Sequence, residues 1–206
     1  MASEAGGEGT FLAVVNPAAG GGRCGKRAPE AIAELRSAGL SIEVVETTAA
    51  GQGTALAREA WQRGVRRFLA VGGDGTSFEI VNGLFPRTAQ GEERPTLGFL
   101  PLGTGNSFLR DFMEPGADKE AGAELARAAL LQGRTRDSDV IRLVHDAGQI
   151  HYINLLSLGF VADVCIQANK RFKRFGEAGY AMGVVLEVLG LRCRSIPHQV
   201  DGGSAR

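Results

Sequence analysis

The segment AVGGDGTSFEIVNG, residues 70–83, passes from an apolar run typical of a buried strand into residues with helical spacing. The glycines between them let backbone N–H groups approach a polyphosphate, and the N-terminus of the following helix favours an anion. Asp74 would repel bare phosphate, which indicates a magnesium ion or a substrate hydroxyl nearby. The alternative is a plain glycine turn in which Asp74 or Thr76 caps the helix.

The same passage from strand to helix recurs along residues 11–132, where short apolar runs alternate with segments of helical spacing. This alternation predicts an α/β fold, a parallel sheet with helices on both faces. In such a sheet, ligands bind at the carboxyl ends of the strands. The predicted strands are 11–16, 40–46, 66–73 and 96–103, and the predicted helices are 27–38, 53–63 (with Ala55, Leu56, Ala60 and Trp61 on its apolar face), 78–85, 106–112 and 118–132.

A second glycine loop, LPLGTGNSF at residues 100–108, follows the last of these strands. Gly103 and Gly105 flank Thr104, and Asn106 can cap the next helix. A lone GTGN would be weak evidence for a ligand site. Its position at the end of a strand, like that of GGDGT, makes it a second candidate wall of the same cleft.

A third glycine-rich stretch, NPAAGGGRCGKR at residues 16–27, nearly spells a phosphate-binding P-loop. Gly20, Gly25 and Lys26 have the right spacing, but Arg27 stands where a P-loop needs the hydroxyl that holds magnesium. We therefore interpret the stretch as another wall of one nucleotide site, with a flexible surface turn as the alternative. The three loops predicted to form the cleft are 17–25, 72–76 and 102–105.

The composition is that of a folded protein without an excess of either charge. The 206 residues include 23 Lys and Arg and 23 Asp and Glu, which argues against a general nucleic-acid binder. The three cysteines form no CxxC pair, so neither a zinc site nor a disulfide framework is indicated, and a cytoplasmic location is expected. No signal peptide or transmembrane segment is recognised, so any membrane contact is expected to be peripheral.

The pattern changes after about residue 135. Residues 137–146 and 149–160 resemble two antiparallel strands joined at Ala147 and Gly148, which predicts a second, β-rich domain. Because too few strands follow to close such a domain, we expect it to be truncated or its sheet to be completed elsewhere. The predicted organisation is a disordered N-terminus at 1–10, an α/β nucleotide-binding domain at 11–134 and a partial β-rich, lipid-binding domain at 135–206.

Taken together, GGDGT followed by EIVNGL, the NPAAGGG opening and LPLGTGN resemble the lipid kinase family of diacylglycerol, sphingosine and ceramide kinases. Their order and spacing match over residues 11–112. NLLSLGFVADV at 154–164 and KRFGEAGY at 173–180 are most similar to the sphingosine and ceramide kinase branch. The resemblance implies a two-domain kinase that uses ATP and Mg²⁺, with a nucleotide-binding α/β domain and a β-rich lipid-binding domain.

Candidate roles follow for individual residues. Asp74 is the candidate catalytic and metal-binding residue, and Asp163 is implied to contact the lipid substrate. Cys165 stands where sphingosine kinases carry a second acid, whereas Asp163 alone fits ceramide or diacylglycerol relatives. Phe78 stands where many relatives carry a polar residue. The residues assigned to nucleotide binding are Asn16, Thr47, Gly72, Gly73, Asp74, Gly75, Thr76, Glu79, Gly103, Thr104 and Gly105.

The predicted function is an ATP-dependent lipid kinase that phosphorylates the hydroxyl of diacylglycerol, ceramide or a sphingoid base at the inner membrane face. The basic residues Lys170, Arg171, Lys173 and Arg174 could meet anionic headgroups, or form a solvated helix face. Three alternatives remain open. They are an NAD kinase, which shares GGDGT, a non-catalytic nucleotide-binding module, and a lipid-binding protein with a vestigial nucleotide site.

Overall fold

In the computed structural model of the chain, residues 9–85, 93–113, 116, 118–156 and 162 are described. Their main feature is a four-stranded parallel sheet with the strand order β2-β1-β3-β4. The parallel sheet confirms the α/β fold expected from the alternating pattern. The strands are β1 (Phe11–Val15), β2 (Ile42–Glu46), β3 (Arg67–Gly72) and β4 (Thr96–Pro101).

The helices of the described residues come after these strands along the chain. They are α1 (Arg23–Ser37), α2 (Gln52–Gln62), α3 (Asp74–Leu84), α4 (Ser107–Arg110) and α5 (Lys119–Leu131). Helices α1 and α3 begin earlier than predicted from the sequence. The glycine-rich residues that the sequence predicted as loops already lie in their first turns. GGDGT is therefore a helix start, in which Asp74 is the first helical residue.

The sheet is covered on both faces, as predicted. All five residues of β1 are buried, and alternate side chains enter two separate apolar clusters. One cluster joins β1, β3 and β4 to Ile32 and Leu35 of α1 and to Leu130 of α5. The other joins the opposite face of these strands to Ala57 of α2 and Ile80 of α3. The buried strands hold their carboxyl-end loops on a rigid base.

The apolar face predicted for α2 is wrong in part. The helix buries Gly53, Ala57 and Ala60, whereas Ala55 is exposed. The reason is the close approach of α3, where a Cβ added to Gly83 would lie 2.5 Å from the backbone oxygen of Thr54. Two helices that pack this closely need small residues at their contact. The periodicity of large apolar residues therefore does not indicate which face of α2 is buried.

A two-stranded antiparallel sheet follows α5, formed by β5 (Ile141–His145) and β6 (Gly148–Tyr152). The strands are shorter than predicted, and Gly148 belongs to β6 rather than to the turn. The side chain of Asn82 on α3 donates to the backbone oxygen of His151 at 2.8 Å and accepts from its backbone nitrogen at 2.9 Å. The Asn82 amide thus makes the pair of backbone hydrogen bonds that a strand next to β6 would make.

By its contacts, the chain divides into two compact units, Met1–Leu155 and Leu156–Arg206. The division into a nucleotide-binding domain at 11–134 and a lipid-binding domain at 135–206 stays a prediction. Residues 1–8 of the N-terminus predicted as disordered lie outside the described residues. Among the described helices, none is both long enough and apolar enough to cross a membrane.

Candidate functional site

The strand order places a crevice at one edge of the sheet. The chain goes from β1 outward to β2, and then returns to the other side of β1 for β3 and β4. Such a reversal between β1 and β3 leaves room outside their carboxyl ends, where open α/β sheets bind ligands. The carboxyl ends are level, since Val15 pairs with Val71 and Gly72 with Pro101.

The loops after β3 and β4 touch through their backbones. Gly103 donates its backbone N–H to the oxygen of Gly72 at 2.8 Å. A Cβ added to Gly103 would lie 2.3 Å from the Cα of Gly73, and one added to Gly73 would lie 3.2 Å from the Cα of Gly103. No side chain fits at Gly103, so the contact between the loops itself requires glycine.

The loop after β1 reaches the same place. The backbone nitrogen of Asn16 donates to the oxygen of Val71 at 3.0 Å, and a Cβ on Gly20 would lie 2.8 Å from the oxygen of Leu102. Gly20, Gly21 and Gly22 have φ of +62°, +69° and +88°, a left-handed run that other residues rarely adopt. The structure thus brings together all three loops that the sequence analysis assigned to one cleft.

Asp74 begins α3, and its side chain does not cap the helix. The N-cap is Gly73, without any side-chain cap, so the alternative in which Asp74 or Thr76 serves as the N-cap is wrong. Oδ1 of Asp74 instead accepts from the backbone nitrogen of Phe108 at 3.4 Å and from Nδ2 of Asn154 at 3.1 Å. Within the described residues Oδ2 accepts no hydrogen bond, and a Cβ on Gly105 would lie 2.9 Å from it.

Two buried oxygen atoms at the glycine loops find no hydrogen-bond partner among the described residues. One is the hydroxyl of Thr76, which is only 4% exposed and packs over Gly72. The other is Oδ1 of Asn106. Asn106 does not cap α4 with its side chain, contrary to expectation. Its Nδ2 donates to the oxygens of Pro101 and Gly103, both at 3.3 Å, and its backbone is left-handed with φ of 53°.

Among the remaining candidate residues, the side chains of Asn16 and Thr47 make hydrogen bonds to the backbone. Asn16 accepts from the backbone nitrogen of Ala18 at 3.2 Å, and the hydroxyl of Thr47 donates to the oxygen of Val15 at 3.3 Å. Gly75, in the first turn of α3, and Thr104, in the loop after β4, are exposed. Their contacts to nucleotide stay predictions, as do those of the other assigned residues.

Glu79 has a structural task that the sequence did not indicate. Its Oε1 accepts from the backbone nitrogen of Gly51 and its Oε2 from that of Gly53, each at 2.8 Å. These N–H groups lie at the start of α2, which has no side-chain cap of its own. The carboxylate therefore satisfies donors that the helix leaves unpaired, and a nucleotide contact of Glu79 stays a prediction.

One ionisable group beneath the loops is strongly perturbed. Burial raises the pKa of the Cys24 thiol to about 11, with a smaller contribution from the charge of Glu46. Its Sγ lies 3.6 Å from the backbone oxygen of Val71, at the base of the crevice. A thiol with so high a pKa is a packing group rather than a nucleophile.

Several expected site residues lie outside the described residues. They are Asp163, Cys165, Lys170, Arg171, Lys173 and Arg174. In the part of the chain that the structure describes, no group of three or more His, Cys, Asp or Glu side chains is arranged to hold a metal ion. Asn154 was absent from the predicted site residues, because nothing local to its stretch of sequence indicates a contact with Asp74.

Comparisons with known proteins agree with the geometry. A protein of Chromohalobacter salexigens named "Probable lipid kinase YegS-like" is 39% identical over 154 residues, which are 74% of this chain and 46% of that protein. A diacylglycerol kinase of Bacillus subtilis is 29% identical over 92% of this chain and 59% of its own length. The chain thus spans about half the length of these curated relatives.

A solved structure shares the fold. The crystal structure of a diacylglycerol kinase from Bacillus anthracis matches with a TM-score of 0.50 and 30% identity, over 64% of this chain and 44% of that one. Residues 10–143 match the family described as the diacylglycerol kinase catalytic domain. This match includes all three glycine loops and the helices that follow them. The chain therefore belongs to the diacylglycerol kinase catalytic-domain family.

Proposed function

We propose that this chain is the nucleotide-binding part of an ATP-dependent lipid kinase. The observation that carries the proposal is the meeting of three glycine loops at the carboxyl ends of β1, β3 and β4, with Asp74 opening α3 beside them. The family membership and the names of the relatives support lipid phosphorylation as the reaction.

The residues present fit a nucleotide polyphosphate. The loops are rich in glycine, which lets the backbone come close to a phosphate, and the start of α3 adds the positive end of a helix dipole. The buried hydroxyl of Thr76 has no partner among the residues that the structure describes, and such a group would donate a hydrogen bond to a phosphate oxygen. We assign the phosphates to this edge of the sheet.

Mg²⁺ fits beside Asp74. The ion is usually held in proteins by one or two carboxylates together with phosphate oxygens and water. Asp74 offers Oδ2, which accepts no hydrogen bond from the described residues. We therefore place the ion near this oxygen, with its other ligands supplied by phosphate and water.

When bound, MgATP would supply the phosphoryl group and neutralise its charge during transfer. In that reaction the lipid hydroxyl oxygen would form a bond to the γ-phosphorus while the bond from that phosphorus to the bridging oxygen of ADP breaks, and the hydroxyl proton would pass to a carboxylate or to solvent. This chain would hold the phosphates so that the lipid hydroxyl and the leaving ADP are in line, and it would keep a carboxylate near the γ-phosphate. Asp74 is the residue that we assign to metal binding or to activation of the hydroxyl.

The lipid class follows less directly from the described residues. We propose a diacylglycerol, ceramide or sphingoid-base hydroxyl, with Asp163 as a substrate contact and residues 135–206 as the lipid-binding part. Such a substrate requires peripheral contact with a membrane surface, and a cytoplasmic enzyme would meet it at the inner face. Lys170, Arg171, Lys173 and Arg174 are the candidates for that contact.

The test begins with thermal unfolding in the presence and absence of MgATP. A ligand at 100 times its dissociation constant stabilises a protein by roughly 2.7 kcal/mol. We expect this shift in the native chain and in a control variant, Asp139→Ala. This substitution removes an exposed carboxylate that is distant in sequence from Asp74. Asp74→Ala should remove most of the shift. No shift in a folded native protein would refute nucleotide binding at this site.

The second step is transfer of labelled phosphate from ATP to vesicles that contain diacylglycerol, ceramide or sphingosine. Label in one lipid identifies the substrate class. Label in NAD instead would identify an NAD kinase. Nucleotide binding without transfer to any acceptor would favour a non-catalytic module, a relevant outcome because the chain spans about half of its relatives.

A further inference from the structure

We propose that Asn154 is a positioning residue, whose side-chain amide orients the Asp74 carboxylate for its metal. The inference rests on the proposed function, in which Asp74 binds Mg²⁺. Asn154 follows β6 and is separated from Asp74 by 80 residues of sequence. Its Nδ2 donates to Oδ1 of Asp74 at 3.1 Å, in a half-buried position.

The two oxygens of Asp74 are used differently. Oδ1 has two donors, the Asn154 amide and the backbone nitrogen of Phe108. Within the described residues Oδ2 has none, and it lies against Gly105, where a Cβ would be only 2.9 Å away. Two donors on one oxygen fix the side-chain rotamer and leave the other oxygen as the available ligand.

The donor chemistry suits this task. The Phe108 contact is long, at 3.4 Å, so the shorter amide contact is the stronger restraint on Oδ1. An amide is neutral and restrains the carboxylate without cancelling its charge, whereas a Lys or Arg in its place would compete with Mg²⁺. The arrangement therefore keeps Asp74 both oriented and anionic.

A second amide, on the helix that Asp74 begins, provides the matched control. Asn82 of α3 also bonds to the β5–β6 region, through the backbone of His151, but it makes no contact with Asp74. Replacement of either amide by the isosteric Leu removes hydrogen bonds between α3 and the same segment. Only the Asn154 substitution removes a hydrogen bond from the Asp74 carboxylate.

The measurement is the affinity for ATP with and without metal, by calorimetry in excess Mg²⁺ and then in EDTA. The ratio of the two affinities isolates what the metal contributes. Loss of a hydrogen bond to a charged group should lower this ratio about tenfold in Asn154→Leu, with the affinity for metal-free ATP unchanged. Asn82→Leu should leave the ratio as it is in the native chain.

A double-mutant cycle shows whether Asn154 acts through Asp74. In the Asp74→Asn background, Asn154→Leu should have no further effect on the ratio. An equal reduction in both backgrounds, or an equal reduction by Asn82→Leu, would overturn the inference in favour of a general structural effect. If Asn154→Leu fails to fold, Asn154→Ser supplies a smaller side chain that cannot reach Oδ1.

The outcomes separate this inference from the proposed function. If Asp74→Asn leaves the ratio unchanged, the metal role of Asp74 is wrong, and the inference fails with it. If Asp74→Asn lowers the ratio but Asn154→Leu and Asn154→Ser do not, only the role of Asn154 is wrong.

Discussion

Oε2 of Glu79 accepts a hydrogen bond from the backbone nitrogen of Gly53 at 2.8 Å, and a Cβ added to Gly53 would lie 2.8 Å from that same oxygen. Helix α3 thus holds the start of α2 by a carboxylate that needs a glycine opposite it. The other carboxylate oxygen accepts from Gly51, which is the left-handed N-cap of α2. One side chain on α3 therefore fixes the loop after β2.

Replacement of this carboxylate by an amide should destabilise the protein. In Glu79→Gln an NH₂ group would face one of the two N–H groups at the start of α2, and one donor would lose its acceptor. We expect a loss of about 1–3 kcal/mol in the free energy of unfolding, measured by denaturant titration. Glu59→Gln on the exposed side of α2 is the control and should change stability by less than about 0.5 kcal/mol.

The Glu79 contact shows what sequence reasoning could not reach. The spacing of EIVNGL predicted a helix, and the resemblance implied a nucleotide contact for its glutamate. No local pattern indicates that the carboxylate meets Gly51 and Gly53, because that contact depends on how closely α2 and α3 approach. The approach in turn depends on Gly83, a residue that in sequence resembles a helix breaker.

Two glycines of the candidate site should respond oppositely to alanine. Gly103→Ala places a methyl group 2.3 Å from the Cα of Gly73, so the two loops must separate. We expect overpacking to lower stability by about 1–3 kcal/mol or more, and binding of MgATP to be lost with it. The readouts are thermal unfolding and calorimetric titration with MgATP.

Gly75→Ala is the matched substitution in the first turn of α3. A Cβ there meets no atom of the described residues within 4 Å, so we expect the helix to accommodate it. Alanine should stabilise the helix by roughly 0.5–1 kcal/mol relative to glycine. Weaker MgATP binding by this stable variant would show that phosphate approaches Gly75, whereas native affinity would remove Gly75 from the predicted contacts.

The three-loop cleft was predictable for a topological reason. Parallel strands separated by helices present their carboxyl ends at one edge, which puts GGDGT, LGTGN and NPAAGGG on the same edge, and the strand order β2-β1-β3-β4 then makes them neighbours. The lengths of α1 and α3 were less predictable, because Gly25 and Gly75 lie within the helices. The contact between Asp74 and Asn154 was beyond prediction, since it spans 80 residues and depends on where β6 ends.

The unfolding free energy should depend on pH through His151. Burial lowers the pKa of this imidazole below its ordinary value of 6.5, and the charge of Arg142 on the paired strand lowers it further. Below pH 6.5 the unfolded chain therefore binds more protons than the folded one, so stability falls as the pH drops. The loss begins near pH 6.5 and levels off below the lowered pKa of the folded state.

Denaturant titrations of the native chain and of His151→Gln, between pH 8 and pH 5, test this origin. The difference in unfolding free energy between them should shrink as the pH falls. A pH dependence unchanged in His151→Gln would assign it to other groups.

The rate at which Cys24 reacts with a thiol reagent should measure how often the protein opens around the candidate site. The thiol is fully buried against Val71, and its pKa is raised to about 11. At pH 8 only roughly one molecule in a thousand would carry the thiolate even if reagent could reach it. We expect labelling to require opening of the protein, so its rate should rise with denaturant in step with unfolding.

MgATP should slow this labelling. If only the closed protein binds nucleotide, ligand at 100 times its dissociation constant lowers the open fraction, and hence the labelling rate, by about a hundredfold. The measurement uses a Cys165→Ser, Cys193→Ser background, so that Cys24 is the only thiol. Asp74→Ala should abolish the protection without exposing the thiol. Fast labelling of the folded native chain would contradict the burial of Cys24, and equal protection in Asp74→Ala would place the bound nucleotide away from α3.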